Sequence, residues 1–464
     1  MNYYSTNGNA AIATLEKAVV KGLAEDKGLY MPERIKPLPQ SFFDNIENLS
    51  FQEIAYTVAD AFFGEDVDAE SLKAIVYDTL QFDCPCVKVT DSIYSLELFH
   101  GPTLAFKDVG ARFMARLLQY FLKKGGEYVK GGSATSKPGV NVLVATSGDT
   151  GSAVANGFLG VDGIHVYVLY PKGKVSPIQE CQFTTLGKNI TAIEVDGVFD
   201  DCQALVKSAF MDEELNAHMK LTSANSINVA RFLPQAFYYF YAYAQMKKNL
   251  SPALSQGEGD HPDGIIPPSE GQEGGLVVCV PSGNFGNICS ALIGKRMGLP
   301  IKRFIAANNA NDIFFNYLNT GKYEPKPSVQ TIANAMDVGD PSNFARIYDL
   351  YQKDHSAICA DIAGATYTNE QIAEAMKDCK AETGYVCDPH GACGYQALKE
   401  GLQAGEVGVF LETAHPAKFK DTVDSILNSD IDIPAKLKAF MQGTKQSIPM
   451  SKDFASFKAY LLSE

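Results

Sequence analysis

The chain has 464 residues, of which 46% are hydrophobic and 20% charged, proportions that are typical of a folded soluble protein and exclude a disordered one. Its length predicts roughly three domains. The formal net charge of −14 argues against sequence-independent nucleic-acid binding, which needs a basic face, although a local basic pocket can still bind a small anionic substrate.

Cysteine spacing and the first residues bear on the cellular compartment. The ten cysteines are too sparse and irregular for a disulfide framework, which indicates reduced thiols. Cys84 and Cys86, and the group of Cys387, His390 and Cys393, lack a second pair at zinc-like spacing, so we predict no metal site. The N-terminal residues contain no basic start or apolar segment, and no apolar run reaches the ~20 residues of a membrane span. We therefore expect a cytoplasmic protein without a secretory signal and without membrane binding.

The first 85 residues are predicted to be mostly helical. Apolar residues recur at helical spacing, with loops rich in Pro, Asn and Gly between them, at 10–24, 51–63 and 69–79. After Pro85 the pattern changes to short strands at 87–89 and 94–99. A long amphipathic helix is predicted at 108–124, with Asp108 suited to its N-terminal end.

From there predicted strands and helices alternate. The predicted strands are β-branched or apolar runs at 142–145, 165–170, 190–195, 276–280 and 407–411. Apolar strands that alternate with helices predict an α/β fold with a mostly parallel sheet covered on both faces. Residues 250–275 are rich in Gly, Pro, Ser and acidic residues and show little periodicity, which predicts a mobile surface insertion.

Two glycine-containing loops, Thr146–Gly151 and Ser282–Asn287, directly follow predicted strands. In open α/β sheets, ligands bind at the carboxyl ends of the strands. Glycines let backbone N–H groups approach a ligand, and each loop opens a helix whose N-terminus favours an anion. Neither loop has the G-x-G-x-x-G pattern of dinucleotide-binding enzymes. Either loop alone is equally compatible with a simple tight turn, but two in one chain favour a phosphorylated ligand.

Lys107 stands just before a predicted helix with Ala105, Phe106 and Val109 around it. This apolar context is unusual for a solvated surface charge. Burial lowers the pKa of an amine, and the neutral amine is the form that condenses with an aldehyde. The alternative is a structural lysine held in a salt bridge.

Several segments together resemble the threonine synthase family. Residues 97–108, which contain Lys107, resemble its cofactor-lysine motif. Four further segments match the same family. Residues 145–151 resemble its substrate loop, and residues 225–228 resemble another active-site element. Residues 282–287 resemble its phosphate cup, and residues 413–419 resemble its C-terminal motif. The opening segment from residue 4 and residues 334–339 are also similar. Because the matches occur in the same order along most of the chain, we identify the sequence as a member of this family.

The resemblance implies a fold-type-II pyridoxal 5′-phosphate enzyme with two mostly parallel open sheets covered by helices and a largely helical N-terminal region. It implies a lyase that converts O-phospho-L-homoserine and water into L-threonine and phosphate by γ-elimination and β-addition of water. By similarity, Lys107 would be the catalytic residue that holds the cofactor aldehyde as a Schiff base. The resemblance also implies a cup around the cofactor phosphate, formed by Gly283, Asn284, Phe285 and Asn287. Thr413 would face the pyridine nitrogen, and Phe113 would border the cofactor.

The substrate of such an enzyme has an anionic group at each end. Hydroxyl and backbone donors of the substrate loop suit its carboxylate, and Asp149 would orient this loop; the loop residues assigned to the substrate are Thr146, Ser147, Asp149 and Thr150. The substrate phosphate needs cations and neutral donors, for which the candidates are Lys172, Lys174, Arg231, Ser226 and Asn228. His390 and His415 are either acid–base groups or structural histidines.

We predict a mostly helical domain at 1–85, a smaller α/β domain at 86–235 with Lys107 and the substrate loop, and a larger α/β domain at 236–464 with the phosphate cup and Thr413. We expect a monomer or a homodimer. Alternative functions are another lyase of the same fold type, such as a threonine or serine dehydratase, and a non-catalytic threonine-synthase-like binding protein. The presence of Lys107, the phosphate cup and Thr413 argues against the second alternative.

Overall fold

The computed structural model describes residues 1–125, 139–250 and 274–464. Nearly all of the insertion predicted at 250–275 lies outside the described residues. The strands are β1 (Asn2–Ser5), β2 (Ala13–Thr14), β3 (Tyr30–Pro32), β4 (Cys86–Lys88), β5 (Ile93–Glu97), β6 (Val140–Ala145), β7 (Ile164–Pro171), β8 (Ile190–Asp196), β9 (Leu221–Ser223), β10 (Gly275–Pro281), β11 (Arg303–Asn308), β12 (Ile362–Thr366), β13 (Glu406–Glu412) and β14 (Ile448–Ser451).

Helices surround these strands. They are α1 (Leu15–Lys21), α2 (Gln40–Asp44), α3 (Phe51–Phe63), α4 (Ala69–Thr79), α5 (Lys107–Lys124), α6 (Asp149–Phe158), α7 (Pro177–Thr184), α8 (Phe199–Met211), α9 (Glu213–His218), α10 (Val229–Phe232), α11 (Ala236–Leu250), α12 (Gly286–Arg296), α13 (Ile313–Thr320), α14 (Phe344–Leu350), α15 (His355–Asp361), α16 (Asn369–Thr383), α17 (Pro389–Gly401), α18 (Lys420–Leu427), α19 (Ala435–Met441) and α20 (Phe454–Ser463).

The described strands form three sheets. The smallest has three antiparallel strands in the order β2-β1-β3. A five-stranded sheet has the order β14-β8-β7-β6-β9 and is parallel throughout. A six-stranded sheet has the order β12-β11-β10-β13-β5-β4 and is parallel except for β4. The predicted α/β architecture with two mostly parallel sheets is therefore confirmed.

In the N-terminal region, two helices have the bounds that the sequence predicts. Ser50 caps helix α3. Its hydroxyl accepts the N–H of Glu53, and the Glu53 carboxylate accepts the N–H of Ser50. Helix α4 begins after Asp68, which also caps it. The helix predicted at 10–24 is shorter, because β2 pairs with β1 before α1 begins and Gly22 ends α1 in the left-handed conformation.

Strand pairing crosses the predicted boundary between the two α/β domains in two places. Strands β4 and β5 belong to the six-stranded sheet, where Ile93 to Glu97 pair with Gly408 to Glu412 of β13. At the other end of the chain, β14 pairs with β8 in the five-stranded sheet. Residues 86–97 thus pair with the larger sheet instead of the smaller one, and 448–451 do the reverse. Hydrophobic periodicity identifies strands but does not reveal which distant strands pair in parallel.

The core lies on both faces of the parallel strands. Every residue of β6, β10 and β13 is buried, as expected for parallel strands covered by helices on both sides. Helix α5 packs into the same core as the N-terminal helices. The ring of Phe113 lies 5.0 Å from that of Phe63 and 5.7 Å from that of Phe237, measured between centroids. The helical N-terminal region and the sheets therefore share one hydrophobic cluster.

Within the described ranges, no helix is both long and apolar enough to cross a membrane. The same ranges contain no group of three or more His, Cys, Asp or Glu side chains that could hold a metal ion.

Candidate active site

Three neighbouring strands of the six-stranded sheet carry three of the predicted site segments at their carboxyl ends. Strand β10 leads into the phosphate cup, β13 into Thr413, and β5 into the loop before Lys107. Since β10, β13 and β5 are adjacent and parallel, these segments emerge at the same sheet edge. This edge is where open α/β sheets bind ligands.

Backbone hydrogen bonds join the Lys107 loop to the segment that contains Thr413. The N–H of Phe106 donates to the Thr413 carbonyl at 2.9 Å, and the N–H of His415 donates to the Leu104 carbonyl at 3.1 Å. Between them, Ala105 and Ala414 pair as an antiparallel bridge. The position of Lys107 is thereby tied to the C-terminal motif.

Lys107 is the first residue of α5 and is half-buried. Its Nζ lies 5.7 Å from the ring centroid of Phe106. Burial lowers the pKa of Lys107 to about 8, with the positive charges of Lys418 and Arg231 lowering it further and the Asp149 carboxylate opposing them. Within the described residues its amine makes no ion pair. This disagrees with the alternative in which Lys107 is a structural lysine held in a salt bridge. The neutral amine is the form that binds a carbonyl, and the lowered pKa increases its fraction near neutral pH.

Asp108 supports the loop before Lys107 by folding back onto it. Its carboxylate accepts the Thr103 hydroxyl at 2.6 Å and the Thr103 backbone N–H at 2.8 Å. Burial raises the pKa of Asp108, and the two bonds from Thr103 oppose that shift. This arrangement needs glycine at position 101, because a Cβ on that residue would lie 2.4 Å from Asp108 Oδ2. Asp108 therefore braces the loop in addition to lying at the helix start.

The substrate loop follows β6 and opens α6. The Thr146 hydroxyl accepts the N–H groups of Gly148 at 2.9 Å and Gly151 at 2.8 Å, so this buried side chain holds the loop together. Ser147 is exposed and Thr150 is half-buried. These two residues, unlike Thr146, present hydroxyls that a ligand can reach.

Asp149, within the substrate loop, forms a buried ion pair with Lys418. Lys418 Nζ is 2.7 Å from Asp149 Oδ1, and Gln179 Nε2 donates to the same oxygen at 2.8 Å. Burial by itself would raise the pKa of Asp149, but the charges of Lys418 and Lys107 and these bonds hold it well below its ordinary value. Sequence reasoning assigned no role to Lys418. The available signal was a lysine among apolar neighbours in the C-terminal motif.

The phosphate cup is a tightly packed turn between β10 and α12. A Cβ on Gly283 would lie 2.8 Å from Met336 Cα and 2.9 Å from the Ala335 carbonyl oxygen. Phe285 has a left-handed φ of 61° at the start of α12, and no side chain of the described residues caps that helix. The first N–H groups of α12 are therefore available to an anion.

Side chains of the phosphate cup are held from both sides. Asn284 Nδ2 donates to Ser226 Oγ at 2.6 Å, and Asn284 Oδ1 accepts the N–H of Ser342 at 2.7 Å. The hydroxyls of Tyr238 and Tyr239 donate to Asn287 Oδ1 at 2.5 and 2.7 Å. Asn287 Nδ2 is buried and has no partner in the described residues. That unsatisfied donor suits an anionic ligand.

Arg346 is a second residue that sequence reasoning missed. It is fully buried and donates to Asn343 Oδ1 at 2.6 Å, to the Ser226 carbonyl at 3.3 Å and to the Ile227 carbonyl at 2.5 Å. Asn343 in turn donates to the Asn284 carbonyl at 3.0 Å. Burial lowers the pKa of Arg346 to about 9. Arg346 thus fixes the segment that holds the phosphate cup.

The five candidates for the substrate phosphate lie in different surroundings. Arg231 is buried, donates to the Ala224 carbonyl and leaves its Nε without a partner in the described residues. Burial lowers its pKa to about 10. Ser226 is half-buried beside the phosphate cup, whereas Lys172 and Lys174 follow β7 and are exposed. Of the three cations, only Arg231 lies in the electrostatic surroundings of Lys107.

Asn228 is occupied by structural hydrogen bonds. Its Oδ1 caps α10 by accepting the N–H of Ala230 at 3.0 Å, and its Nδ2 donates to the Val19 carbonyl at 2.8 Å. It is fully buried. These contacts join the Ser226–Asn228 segment to helix α1.

The two histidines have well-defined partners. His390 Nδ1 lies 2.7 Å from Asp388, and its Nε2 accepts the N–H of Ala335 at 3.1 Å. His415 Nδ1 accepts the N–H of Ala417 at 3.0 Å, and burial lowers the pKa of His415 to about 4. Both act as backbone acceptors, which favours the structural alternative for each.

Glu412, next to Thr413, is a buried acid that makes no ion pair within the described residues. One oxygen accepts the N–H of Asp388 at 2.5 Å, and the other has no partner in the described residues. Burial and the Asp388 charge raise the pKa of Glu412 well above its ordinary value. Thr413, which is also buried, brings a neutral hydroxyl to the site.

Comparison with known proteins decides the family. Residues 85–412 match the family described as "Pyridoxal-phosphate dependent enzyme", residues 2–80 match "Threonine synthase N terminus", and residues 391–461 match "Threonine synthase, C-terminal". The chain is 42% identical to the threonine synthase of Haemophilus influenzae over 462 residues, with 100% of both chains covered. The chain belongs to the threonine synthase family.

Solved structures of threonine synthases have the same fold. The Escherichia coli structure superposes with a TM-score of 0.86 at 38% identity and covers 100% of both chains. A threonine synthase from Brucella melitensis, described as PLP bound, superposes with a TM-score of 0.87 at 32% identity over 100% of this chain and 99% of that one. The predicted fold class and the predicted cofactor, pyridoxal phosphate, are confirmed. The alternatives, a dehydratase and a non-catalytic binding protein, are not favoured.

Proposed function

We propose that this protein is a threonine synthase that converts O-phospho-L-homoserine and water into L-threonine and phosphate with pyridoxal 5′-phosphate. The observation that supports it most is the hydrogen-bonded pairing of the Lys107 loop with the Thr413 segment beside the phosphate cup. Membership of the threonine synthase family supports the same reaction. When bound, the cofactor supplies an electron sink for charge that develops on the substrate.

The residues at this sheet edge fit the cofactor. Lys107 would hold its aldehyde, since burial lets its amine lose the proton near pH 8. Its phosphate would lie at Gly283, Asn284, Phe285 and Asn287, where the helix N-terminus is uncapped and the Asn287 amide is unsatisfied. The role of Phe113 as an aromatic border stays a prediction; its ring packs between Phe63 and Phe237.

Lys107 would also move protons. As a free amine, Nζ could take the proton from the substrate Cα and later donate protons to other carbons of the substrate. A pKa near 8 suits this role, because an effective base has a pKa close to the working pH. The Asp149 carboxylate favours the protonated form of Lys107, whereas the positive charges of Lys418 and Arg231 favour the neutral form.

Thr413 would face the pyridine nitrogen with a hydroxyl instead of a carboxylate. A hydroxyl does not force a proton onto that nitrogen, so the electron sink would be milder and stray reactions less favoured. Burial and the Asp388 charge raise the pKa of the neighbouring residue, Glu412, which disfavours a second negative charge next to Thr413 in the chain.

The two anionic ends of the substrate would bind on different segments. Ser147 and Thr150 would receive the carboxylate, since their hydroxyls are accessible, and Thr146 and Asp149 would hold the loop in shape. The substrate phosphate would lie near Arg231 and Ser226. Lys172 and Lys174, which are exposed after β7, would add positive charge near the substrate phosphate. Asn228 would help indirectly by fixing the segment that contains Ser226.

The test is incubation of the purified protein with O-phospho-L-homoserine and pyridoxal 5′-phosphate, with threonine and phosphate measured together. The two products should form in equal amounts, and Lys107→Ala should abolish both. Parallel incubation with L-threonine or L-serine, followed by measurement of keto acids, tests the dehydratase alternative. Keto acid without threonine would replace the proposal with that alternative, and no product from any of the three would favour a binding protein.

We also propose a cytoplasmic location. All ten cysteines are free, including the buried pair Cys379 and Cys387, whose sulfurs lie 3.5 Å apart. Reduced thiols in such proximity are expected where the compartment is reducing. Fractionation of cells followed by immunodetection would test it.

A further inference from the structure

Lys418 connects two loops that come from different sheets. Its Nζ lies 2.7 Å from Asp149 Oδ1, and it donates to the Thr103 carbonyl at 2.9 Å. Asp149 is the first residue of α6, in the substrate loop of the five-stranded sheet. Thr103 lies in the loop that leads from β5 of the six-stranded sheet to Lys107. One ammonium group therefore links the two sides of the candidate site.

Each end of this link is braced by a second residue. Gln179 Nε2 donates to Asp149 Oδ1 at 2.8 Å, which fixes the carboxylate from helix α7. At the other end, Thr103 is held by Asp108 through its backbone N–H and its hydroxyl. The ammonium of Lys418 thus lies between two groups with restricted positions.

We propose that Lys418 is a positioning residue that clamps the substrate loop to the Lys107 loop and, with Asp149, sets the electrostatic surroundings of the Lys107 amine. The inference rests on the proposed role of Lys107. Lys418 itself is not assigned a contact with substrate or cofactor.

Stability alone does not account for this pair. The side chains of Lys418 and Asp149 are 0% and 5% exposed, so both charges have left water almost completely. The loss of solvation of a buried ion pair usually cancels most of its attraction, and apolar replacements are often neutral or stabilising. Such a pair is better explained by a geometric and electrostatic task.

The charges that face Lys107 define that task. Asp149 favours the protonated form of Lys107, whereas Lys418 and Arg231 favour the neutral form. If Lys418 were removed, the Asp149 carboxylate would act on Lys107 without its partner. If Asp149 were removed, the attraction that holds the proton on Lys107 would be lost. The two changes must therefore shift the acidity of Lys107 in opposite directions.

Lys418 also neutralises a carboxylate, that of Asp149, within the loop proposed to bind the substrate carboxylate. Without Lys418, the negative charge of Asp149 would repel an anion bound at Ser147 and Thr150. The positioning role thus serves both the amine and the anion site.

The experiment measures the acidity of Lys107 in the full chain without cofactor. Protein is labelled with trace acetic anhydride over a pH series, and acetylation of the peptide that contains Lys107 is quantified by mass spectrometry. In Lys418→Met the pKa of Lys107 should rise by about one pH unit, so that labelling at neutral pH falls roughly tenfold. In Asp149→Asn the pKa should fall, and labelling should increase. The double variant should lie between the two single variants.

Matched variants separate charge from packing. Lys420→Met removes a lysine two residues away that is also paired with carboxylates, Asp424 and Asp430, and it should leave Lys107 labelling unchanged. Lys418→Arg, which keeps the charge, should restore most of the wild-type value. If Lys418→Met does not fold, Lys418→Gln repeats the test, because it removes the charge and keeps a hydrogen-bond donor.

The outcomes are decisive in either direction. Shifts of opposite sign in the two single variants support the proposal. Shifts of the same sign, or Lys107 labelling as insensitive to Lys418→Met as to Lys420→Met, overturn it. Threonine formation by the wild-type chain is measured separately, so a failure of the proposed function cannot be mistaken for a failure of this inference.

Discussion

The backbone N–H of Phe106 donates to the carbonyl oxygen of Thr413 at 2.9 Å. This bond connects the residue before Lys107 with the end of strand β13, and it is possible because β5 and β13 are adjacent parallel strands. The lysine proposed to hold the cofactor and the residue proposed to face the pyridine nitrogen are therefore placed by the same strand pairing. A substitution that displaces either loop should therefore also displace the other.

The phosphate cup gives the first prediction. Gly283→Ala places a Cβ 2.8 Å from Met336 Cα and 2.9 Å from the Ala335 carbonyl, both of which are backbone atoms. The cup must open to relieve this overlap, which typically costs about 1–3 kcal/mol. If that cost falls on cofactor binding, affinity drops by roughly five- to a hundredfold. Equilibrium dialysis with pyridoxal 5′-phosphate should show the loss, with partial recovery at excess cofactor.

Gly401→Ala is the control for this variant, because its added Cβ would meet only the flexible end of Ile305, at 3.1 Å. It should retain cofactor like the wild type. Normal cofactor retention in Gly283→Ala would mean that the loop is only a turn.

The pKa of Lys107 gives a prediction about stability. Its pKa in the folded chain, about 8, lies below the ordinary lysine value of 10.5, so the folded state disfavours the proton. The resulting destabilisation is complete below pH 8 and disappears as pH rises toward the ordinary value. Lys107→Met should therefore stabilise the cofactor-free chain near neutral pH by on the order of 2 kcal/mol, allowing for the partial exposure of Lys107.

Thermal unfolding over a pH series would check this. The gain in Tm of Lys107→Met should be largest below pH 8 and should shrink in alkaline solution. Lys172→Met, which changes an exposed lysine, should show no such trend. A constant gain at all pH values would indicate improved packing instead of a lost charge.

Local features were predictable from the sequence where local physics decides them. Helices α3 and α4 have the predicted bounds because Ser50 and Asp68 cap them and their apolar residues follow the helical period. The strand–loop–helix units at 146–151 and 282–287 were also recognisable, since their glycines and flanking apolar strands carry the signal.

Contacts between distant segments were not predictable in the same way. The pairing of β14 with β8, and of β5 with β13, depends on tertiary packing that no local pattern reports. Lys418 and Arg346 are buried cations whose partners come from other parts of the chain. Their sequence neighbours give no indication of the partner, so single-sequence reasoning finds the motif but not the contact.

Asn228 gives a prediction that separates structure from substrate binding. Asn228→Ala removes the cap of α10 and the bond to the Val19 carbonyl, and loss of a helix cap typically costs about 0.5–2 kcal/mol. We expect a lower free energy of unfolding in denaturant titrations and only a small rise in KM for O-phospho-L-homoserine. A large rise in KM at normal stability would restore Asn228 as a direct ligand of the substrate.

The substrate phosphate gives the last prediction, in which the three candidate cations are compared. Arg231 is buried and leaves its Nε unpaired among the described residues, whereas Lys172 and Lys174 are exposed. If Arg231 binds the phosphate, Arg231→Met should raise KM for O-phospho-L-homoserine more than Lys172→Ala or Lys174→Ala. Loss of a charge-assisted hydrogen bond costs about 1.5–3 kcal/mol, which corresponds to roughly ten- to over a hundredfold.

A side activity provides the internal control for Arg231. L-Serine has no phosphate, so any turnover of L-serine should change little in Arg231→Met, and cofactor retention should stay normal because the phosphate cup is a different segment. Thermal unfolding must accompany these measurements, since Arg231 also donates to the Ala224 carbonyl. Equal losses on both substrates would show that Arg231 supports the fold near Lys107. A selective loss in Lys172→Ala or Lys174→Ala alone would move the phosphate site to the exposed rim after β7.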